Sequence, residues 1–323
     1  MPRTTLGMQP ILAAQKVLRQ HLPPTRFMHS GYLSELVSGD VWLKLECQQP
    51  TGSFKVRGAI HKIHTLMADG LDGGVVTGSA GNHGLGVAMA GSILGIKPIT
   101  IFVPGSAPDS KLNKLARFPV EVIKAGSTYE DAHQAATEFA ARSGAAYIPA
   151  YDDVDIIAGQ GTAGLEMIWE IPNLDCVFVP VGGGGLIAGI ASAVKDLNPL
   201  CAVIGVQAAA SPSALLSLQR GEPIDPYDHE PTIADGLAGG FGALPFYLAR
   251  TLIDRIELAE EHELEQAILA LVEHEQLVAE ASGAAAIVSL LRSPAEYLGQ
   301  KVACVISGGN LDITILRRIL HER

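Results

Sequence analysis

Short apolar runs alternate with helix-like segments along most of this chain, and this order limits the folds that it can adopt. The runs at residues 74–77, 98–104 and 120–124 each precede a segment whose apolar residues have helical spacing. The same alternation returns at residues 175–181 and 202–207. Short connections between such elements predict parallel strands with helices on both faces of a sheet. We therefore expect an α/β fold.

Composition narrows the class of protein further. Of the 323 residues, 48% are hydrophobic and 18% are charged, which favours a substantial core and argues against disorder. The net charge of −11 argues against a nucleic-acid partner, because phosphates require a clustered basic surface. No apolar run approaches the length of a membrane span, and the N-terminus lacks the pattern of a secretion signal. The four widely spaced cysteines are expected to be free thiols in the cytoplasm, at Cys47, Cys176, Cys201 and Cys304.

One lysine, Lys55, lies in a loop of small residues at positions 50–59. Gly52 lets the backbone approach a ligand closely, and Ser53 is expected to cap a helix that begins near Phe54. Beside that aromatic ring the amine would be partly desolvated, which lowers its pKa and frees it for Schiff-base chemistry. A solvated surface lysine is the alternative interpretation of the same residues.

Four consecutive glycines at positions 182–185 lie between a predicted strand and a predicted helix. Their backbone amides are free of side-chain obstruction, and the helix N-terminus favours an anion such as a phosphate. Neither an acidic ribose partner nor a Gly-Lys-Ser/Thr sequence follows, so the run is neither a dinucleotide fingerprint nor a nucleotide P-loop. A flexible tight turn is the alternative interpretation.

Two further turns follow predicted strands, at residues 79–84 and 307–310. In the first, Ser79 and the neighbouring amides suit a carboxylate, and Asn82 suits an aromatic hydroxyl. Helix capping is the alternative for Asn82, and a hydrogen-bonded interior position is the alternative for His83. In the second turn, Ser307 can exchange a hydrogen bond with a heteroaromatic nitrogen, although serine is also an ordinary turn residue. Because ligands bind at the carboxyl ends of parallel strands, these turns predict one cleft.

The lysine loop and the three glycine-rich turns, in this order, resemble the fold type II pyridoxal-phosphate enzymes. The resemblance runs from about residue 24 to the C-terminus and is strongest to the branch of threonine/serine dehydratases and serine racemases. It implies a tryptophan-synthase-β-like architecture of two domains, each a mostly parallel sheet flanked by helices. Residues 71–149 would form a small mobile domain, and residues 1–70 and 150–323 would form a large cofactor-binding domain. The resemblance also implies a homodimer.

The resemblance assigns a role to each motif. Lys55 would hold pyridoxal 5′-phosphate covalently and remove the proton from the substrate Cα, and Ser79 would receive the substrate carboxylate. Asn82 would bind the ring hydroxyl, and Ser307 would face the pyridine nitrogen, where a neutral hydroxyl suits β-elimination better than transamination. The cofactor-binding residues that this implies are Phe54, Lys55, Asn82, Gly182, Gly183, Gly184, Gly185, Leu186, Glu280, Ser307 and Gly308.

Some positions qualify the resemblance. Serine racemases of this branch carry a second serine where this chain has Ala80, which favours dehydration over racemisation. Relatives often bind a divalent metal through acidic residues near positions 207 and 213, but Gln207 and Ser213 are uncharged, so we expect no metal site. Glu280 would have a raised pKa if it is buried near the cofactor, and otherwise it is the N-terminal charge of a helix. Asp235 either matches a domain-facing acidic loop of the family or is a plain turn aspartate.

The resemblance, with these residues, implies a β-elimination that converts a hydroxy amino acid, such as L-threonine or L-serine, to a 2-keto acid and ammonia. A serine-racemase-type activity and a 3-hydroxyaspartate dehydratase are the alternatives within the same fold. A non-catalytic amino-acid sensor is a third alternative. The presence of Lys55 argues against it, because a binding protein needs no base.

Overall fold

The computed structural model describes residues 6–321, which form ten strands and fourteen α-helices. The strands are β1 (Phe27–Ser30), β2 (Asp40–Lys44), β3 (Val75–Gly78), β4 (Ile99–Val103), β5 (Glu121–Lys124), β6 (Ala146–Tyr147), β7 (Cys176–Pro180), β8 (Ala202–Ala208), β9 (Arg255–Ala259) and β10 (Lys301–Val305). The helices are α1 (Met8–Leu18), α2 (Gly31–Val37), α3 (Lys55–Ala68), α4 (Asn82–Leu94), α5 (Asp109–Leu115), α6 (Tyr129–Ser143), α7 (Val154–Glu170), α8 (Gly185–Leu197), α9 (Ser213–Arg220), α10 (Ala243–Ala249), α11 (Glu261–Glu275), α12 (Ala281–Ala284), α13 (Val288–Arg292) and α14 (Ile313–His321). Residues 1–5 and 322–323, which the predicted large domain includes, lie outside the described residues.

The strands form one sheet of six strands and one of four. The larger sheet has the order β1-β2-β10-β7-β8-β9, and every neighbouring pair is parallel except β1 with β2. The smaller sheet has the order β5-β4-β3-β6 and is parallel throughout. We refer to residues 75–147 as the four-stranded lobe and to the other described residues as the six-stranded lobe. The predicted α/β fold with mostly parallel sheets is confirmed, whereas the division into two domains stays a prediction.

Both faces of each sheet are covered by helices. Every residue of β7 and of β4 is buried, which explains why these strands are continuous apolar runs without polar alternation. In the six-stranded lobe one face packs against α11 and α13, and the other packs against α7, α8 and α10. The turns at residues 79–84, 182–185 and 307–310 follow the carboxyl ends of β3, β7 and β10, where ligands of parallel sheets bind.

Several elements differ from the sequence prediction. The apolar spacing does not predict the edge strands β1 and β9, which are short and partly polar. The apolar residues at 283–291 predict a single helix, but the structure divides this region into α12, a 3₁₀ turn at Ala285–Ile287 and α13. The expected cap is also wrong. Helix α3 begins at Lys55 without a side-chain cap, and Ser53 Oγ has no hydrogen-bond partner within residues 6–321.

Helix α7 is absent from the sequence prediction, and its interior contains Gly159 and Gly161. In the structure these glycines let three helices approach closely. A Cβ on Gly159 would lie 2.6 Å from Cα of Gly58 in α3, and a Cβ on Gly161 would lie 2.9 Å from the carbonyl oxygen of Gly189 in α8. No side chain fits at these crossings, so glycine in α7 serves packing instead of chain reversal.

The remaining expectations concern thiols and membranes. All four cysteines are free thiols, as predicted. Among residues 6–321, no helix combines the length and the apolar character that crossing a bilayer requires.

Candidate active site

Lys55 begins α3 and points its amine at the main chain of the segment that leaves the four-stranded lobe. Its Nζ donates a hydrogen bond of 2.8 Å to the carbonyl of Ala150 and lies 5.2 Å from the centroid of the Phe54 ring. The residue is only partly exposed, and burial of the amine lowers the pKa of Lys55 to about 8. No carboxylate in the described part of the chain opposes this shift. The predicted desolvation is therefore present, and the solvated-surface alternative is wrong.

The glycine run is a packed surface with free amide donors. Within residues 6–321, the amides of Gly182, Gly183 and Gly184 have no hydrogen-bond acceptor. A Cβ on Gly183 would lie 2.3 Å from the Tyr151 ring, and Gly184, with φ of +90°, would place a Cβ 2.3 Å from the Phe241 ring. Side chains are excluded here by neighbouring rings and by backbone conformation. Directly before the N-terminus of α8, such donors suit an anion.

The first turn of α8 continues this surface. Gly185 is the first residue of the helix, and a Cβ there would lie 3.1 Å from Cα of Tyr151. Leu186 is buried against the apolar core beneath the run. These contacts hold the run in place, so the alternative of a flexible turn does not fit this geometry.

Asn82 is the first residue of α4 and contacts a buried carboxyl of the other lobe. Its Nδ2 donates a hydrogen bond of 2.6 Å to Oε1 of Glu280. Gly81 occupies the N-cap position, so the capping alternative for Asn82 does not apply. Burial raises the pKa of Glu280 to about 7, with the Asp235 carboxylate adding to the rise and the Asn82 hydrogen bond opposing it. Glu280 is therefore buried with a raised pKa and also occupies the N-cap position of α12, so its place near the cofactor stays a prediction.

The turn after β10 lies directly against the lysine loop. Ser307 is buried, and its Oγ donates a long hydrogen bond of 3.4 Å to the carbonyl of Ser282. The carbonyl of Ser307 accepts from the amide of Phe54, and Gly308 forms an isolated antiparallel bridge with Ser53. Main-chain contacts thus hold the serine hydroxyl next to the residues that precede the lysine.

The turn after β3 contributes Ser79 and His83. Ser79 is buried, and its Oγ accepts a hydrogen bond of 3.2 Å from the amide of Gly81. Nε2 of His83 donates to the carbonyl of Ile148 at 2.9 Å. Burial, together with the charge of Lys55, lowers the pKa of His83 to about 3. His83 is therefore a neutral interior histidine, which is one of the two interpretations that its sequence position allows.

Behind the lysine loop lies a buried ionic cluster that no sequence motif predicts, formed by Lys44, Glu46, Arg57 and Glu166. Arg57 makes paired hydrogen bonds of 2.8 Å to both carboxylates, and Lys44 Nζ lies 2.7 Å from Oε2 of Glu166. Burial alone would raise the pKa of Glu46, but the charges and hydrogen bonds of its partners lower it to about 2. The signal in the sequence is the presence of charged residues inside apolar runs, which does not indicate how they pair.

The two remaining positions from the sequence analysis have polar partners. Gln207 donates from Nε2 to Oγ of Ser213 at 3.2 Å, and its Oε1 accepts from the amide of Ala214 at 3.1 Å. The absence of a metal site stays a prediction. Asp235 Oδ2 lies 2.7 Å from Nζ of Lys111 on α5, so it contacts the four-stranded lobe. This position matches the domain-facing interpretation of Asp235 and not that of a plain turn residue.

The donor set suits pyridoxal phosphate. A cofactor of this kind needs a lysine that can lose its proton, an anion site for the phosphate, and polar partners for a ring oxygen and a ring nitrogen. Lys55 meets the first need through its lowered pKa, and the free amides of Gly182, Gly183 and Gly184 meet the second. Asn82 keeps one amide hydrogen beyond its bond to Glu280, and Ser307 has only a long hydrogen bond. The roles of these residues stay predictions.

Comparisons with known proteins point to the same chemistry. The family model described as pyridoxal-phosphate dependent enzyme matches residues 18–308. An L-threonine ammonia-lyase of Thermotoga maritima is 42% identical over 318 residues, which cover 98% of this chain and 79% of that protein. The processed form of threonine deaminase isoform 2 from Solanum lycopersicum has a TM-score of 0.92 at 30% identity, covering 99% of this chain and 90% of that one. Maize serine racemase has a TM-score of 0.91 at 30% identity, and the match covers 99% of this chain and 98% of that one.

Proposed function

The chain belongs to the family of pyridoxal-phosphate dependent enzymes, and from this premise we propose that it is an ammonia-lyase. Its reaction is a β-elimination that converts a hydroxy amino acid, such as L-threonine or L-serine, to a 2-keto acid and ammonia. The similarity to an L-threonine ammonia-lyase and to a threonine deaminase supports this reaction.

The observation that carries the proposal is the environment of Lys55. Its amine has a neutral carbonyl as hydrogen-bond partner and a pKa of about 8, against an ordinary value of 10.5. At pH 7 a pKa of 8 leaves roughly one amine in ten neutral, whereas 10.5 leaves about one in 3,000. Only the neutral amine can act as a nucleophile or accept a proton, so the site raises the reactive fraction by about two orders of magnitude.

Each neighbouring group has a task that follows from its chemistry. Bound pyridoxal phosphate would supply an electron sink that weakens the Cα–H bond of the substrate. Lys55 would accept the Cα proton, and the amides of Gly182, Gly183 and Gly184 would bind the phosphate. Ser79, with the amides at the start of α4, would bind the substrate carboxylate and so orient the Cα–H bond toward the base.

A 3-hydroxyaspartate dehydratase is the alternative within the same fold, and the substrate panel described below tests it.

Racemisation is the second candidate function, because the similarity to maize serine racemase is close in fold. A racemase needs an acid on the face of Cα opposite to the lysine. This chain has Ala80 beside Ser79, and a methyl group cannot donate a proton. The residues therefore favour elimination.

The test is to incubate the purified protein with pyridoxal 5′-phosphate and a panel of D- and L-hydroxy amino acids. Keto acid and the chirality of the remaining substrate are measured separately. We expect keto acid from L-threonine or L-serine, little racemisation, and visible absorbance from the lysine-bound cofactor. Lys55→Ala should lose both the absorbance and the keto acid, whereas Lys16→Ala, at an exposed position of α1, should keep both.

Keto-acid production that persists in Lys55→Ala would contradict the proposed base. Racemisation faster than elimination would favour the second candidate. A protein that stays colourless with excess cofactor would refute the proposed function.

The proposal also covers the oligomeric state, the location in the cell and the motion of the small domain. We expect a homodimer from the resemblance to the fold type II enzymes, and light scattering of the purified protein would test it. We expect a cytoplasmic location, which four free thiols support and cell fractionation would test. We also expect residues 71–149 to move as a small domain that closes over the cleft, which deuterium exchange with and without substrate would test.

A further inference from the structure

A chain of hydrogen bonds runs from the four-stranded lobe through the turn after β10 to Asn82. Nζ of Lys114, on α5, donates to Oδ1 of Asn310 at 2.8 Å. Nδ2 of Asn310 donates to Oδ1 of Asn82 at 2.7 Å and to the carbonyl of Thr51 at 2.8 Å. Nδ2 of Asn82 then donates to Glu280. Every link runs from donor to acceptor, beginning at a cation and ending at a carboxyl group.

The chemistry of the partners determines which way each amide points. An ammonium group only donates, and a backbone carbonyl only accepts. Lys114 therefore requires the oxygen of Asn310 on its side, and Thr51 requires the nitrogen on the other side. With Asn310 oriented in this way, its nitrogen can meet only the oxygen of Asn82. The nitrogen of Asn82 is then the atom that faces Glu280.

Glu280 alone cannot impose this orientation. Its pKa of about 7 means that near neutral pH it is protonated about half of the time, and a protonated carboxyl both donates and accepts. An amide beside such a group can point either way. Lys114 and Asn310 provide the constraint that does not depend on the protonation of the glutamate.

The surrounding residues leave space for this chain. A Cβ on Gly52, which has φ of +75°, would lie 2.8 Å from Nδ2 of Asn310. A Cβ on Gly308 would lie 2.1 Å from Oε1 of Glu280 and 3.3 Å from Nδ2 of Asn82. Two glycines, one in the lysine loop and one in the turn after β10, are therefore needed for the amides to reach each other.

We propose that Lys114 and Asn310 are positioning residues that orient the carboxamide of Asn82 toward the cofactor when α5 contacts the six-stranded lobe. These contacts leave one amide hydrogen of Asn82 free for the ring oxygen of the cofactor. The inference depends on the proposed function for the identity of the ligand, whereas the hydrogen-bonded chain is independent of it.

The test compares single and double variants of the full-length protein. Lys114→Met removes the donor, and Asn310→Asp keeps an acceptor for Lys114 but cannot donate to Asn82. We expect each single variant to raise the dissociation constant for pyridoxal 5′-phosphate about tenfold, the lower range for a hydrogen bond to a charged group. The double variant should bind about as weakly as the weaker single variant, because both changes break one chain. Lys114→Arg, which keeps a donor, should restore most of the affinity.

Lys111→Met is the matched control. It removes the same charge from the same helix and another contact between the lobes, to Asp235, but it leaves the chain to Asn82 intact. Lys111→Met should raise the dissociation constant for pyridoxal 5′-phosphate by less than about threefold. In the double variant with Asn310→Asp, the two fold-changes should multiply, because the two changes are independent. Independent, multiplying effects of Lys114→Met and Asn310→Asp would overturn the proposal.

Deuterium uptake separates this inference from the proposed function. Exchange across residues 79–82 reports how firmly the Asn82 turn is held, whether or not a cofactor binds. Lys114→Met should increase uptake there, and Lys111→Met should not. Unchanged uptake in Lys114→Met would refute the positioning role, while failure of the unaltered protein to bind cofactor would refute the proposed function instead.

Discussion

Two cations in the first turn of α3 have opposite surroundings. Lys55 is partly exposed, has a single neutral hydrogen-bond partner, and has a pKa lowered to about 8 by burial. Arg57, two residues later, is fully buried between Glu46 and Glu166, which raise its pKa although burial alone would lower it. One helix therefore supplies both a reactive amine and a permanent positive charge. The presence or absence of carboxylate partners determines the pKa of each cation and so its role.

Two buried carboxyl groups, Glu46 in the ionic cluster and Glu280 in the candidate site, differ in the same way. Glu46 and Glu280 are both buried, yet the partners of Glu46 lower its pKa to about 2, whereas the pKa of Glu280 is about 7. The ion pairs of the buried cluster hold the lysine loop in place. Lys55 and Glu280, which lack such partners, titrate close to neutral pH. Perturbed groups of the second kind cluster at functional sites.

The largest expected effect comes from making position 55 resemble position 57. Lys55→Arg keeps a positive charge, but a guanidinium does not lose its proton in proteins. We expect turnover to fall by roughly 10³-fold or more, because the base and the nucleophile are both lost. The measurement is keto-acid production, with circular dichroism to show that the fold is intact. Lys62→Arg, on the same helix, should change turnover less than about twofold, and equal losses in the two variants would contradict the comparison.

Breaking the paired region should instead affect stability. Arg57→Met leaves Glu46 and Glu166 buried without their main partner, and we expect a loss of about 3–5 kcal/mol in the free energy of unfolding. Urea denaturation measures the loss. In Arg57→Met/Glu46→Gln one of the two unpaired charges is gone, so part of the stability should return. A loss below about 1 kcal/mol in the single variant would show that the cluster contributes little.

The third prediction concerns the pH dependence of stability. The folded-state pKa of Glu280, about 7, lies above its ordinary value of 4.5. The contribution of Glu280 to the free energy of unfolding is therefore complete below pH 4.5 and is lost as the pH rises through 7. The total loss is about 3 kcal/mol. Glu280→Gln should remove this dependence, as urea denaturation between pH 4.5 and 8 would show. Glu296→Gln, at an exposed position, should leave the pH dependence of stability unchanged. If the stability of Glu280→Gln varied with pH as that of the unaltered protein does, the raised pKa of Glu280 would be disproved.

The smallest effect is expected at Lys62, in the middle of α3. Lys62 Nζ lies 2.6 Å from Asp153 and 3.1 Å from Asp155, but this group is closer to solvent than Arg57. Solvent screening limits such pairs, so Lys62→Met should reduce stability by about 1 kcal/mol or less. Urea denaturation beside Arg57→Met gives the direct comparison. A loss as large as that of Arg57→Met would mean that pairing, not burial, dominates the energetics of α3.

The sequence allows much of the fold to be predicted, and particular residues show why. The alternation of apolar runs and helical spacing is a local property, so β4, β7 and the parallel sheets can be predicted from it. Helix α7 cannot, because Gly159 and Gly161 are explained only by the helices that cross them. Edge strands β1 and β9 are missed for a related reason: their stability comes from a neighbouring strand and not from their own apolar pattern.

Within the site, the sequence alone determines which chemical groups are available. A lysine after small residues, four glycines before a helix, and an asparagine and a serine in turns are local features whose chemistry does not depend on distant residues. Only the tertiary structure decides how the charges pair. Arg57 meets Glu166 across 109 positions and Asn82 meets Glu280 across 198, so these contacts leave no local pattern. Because burial and pairing set each pKa, the contrast between a reactive Lys55 and a permanently charged Arg57 arises only when the chain has folded.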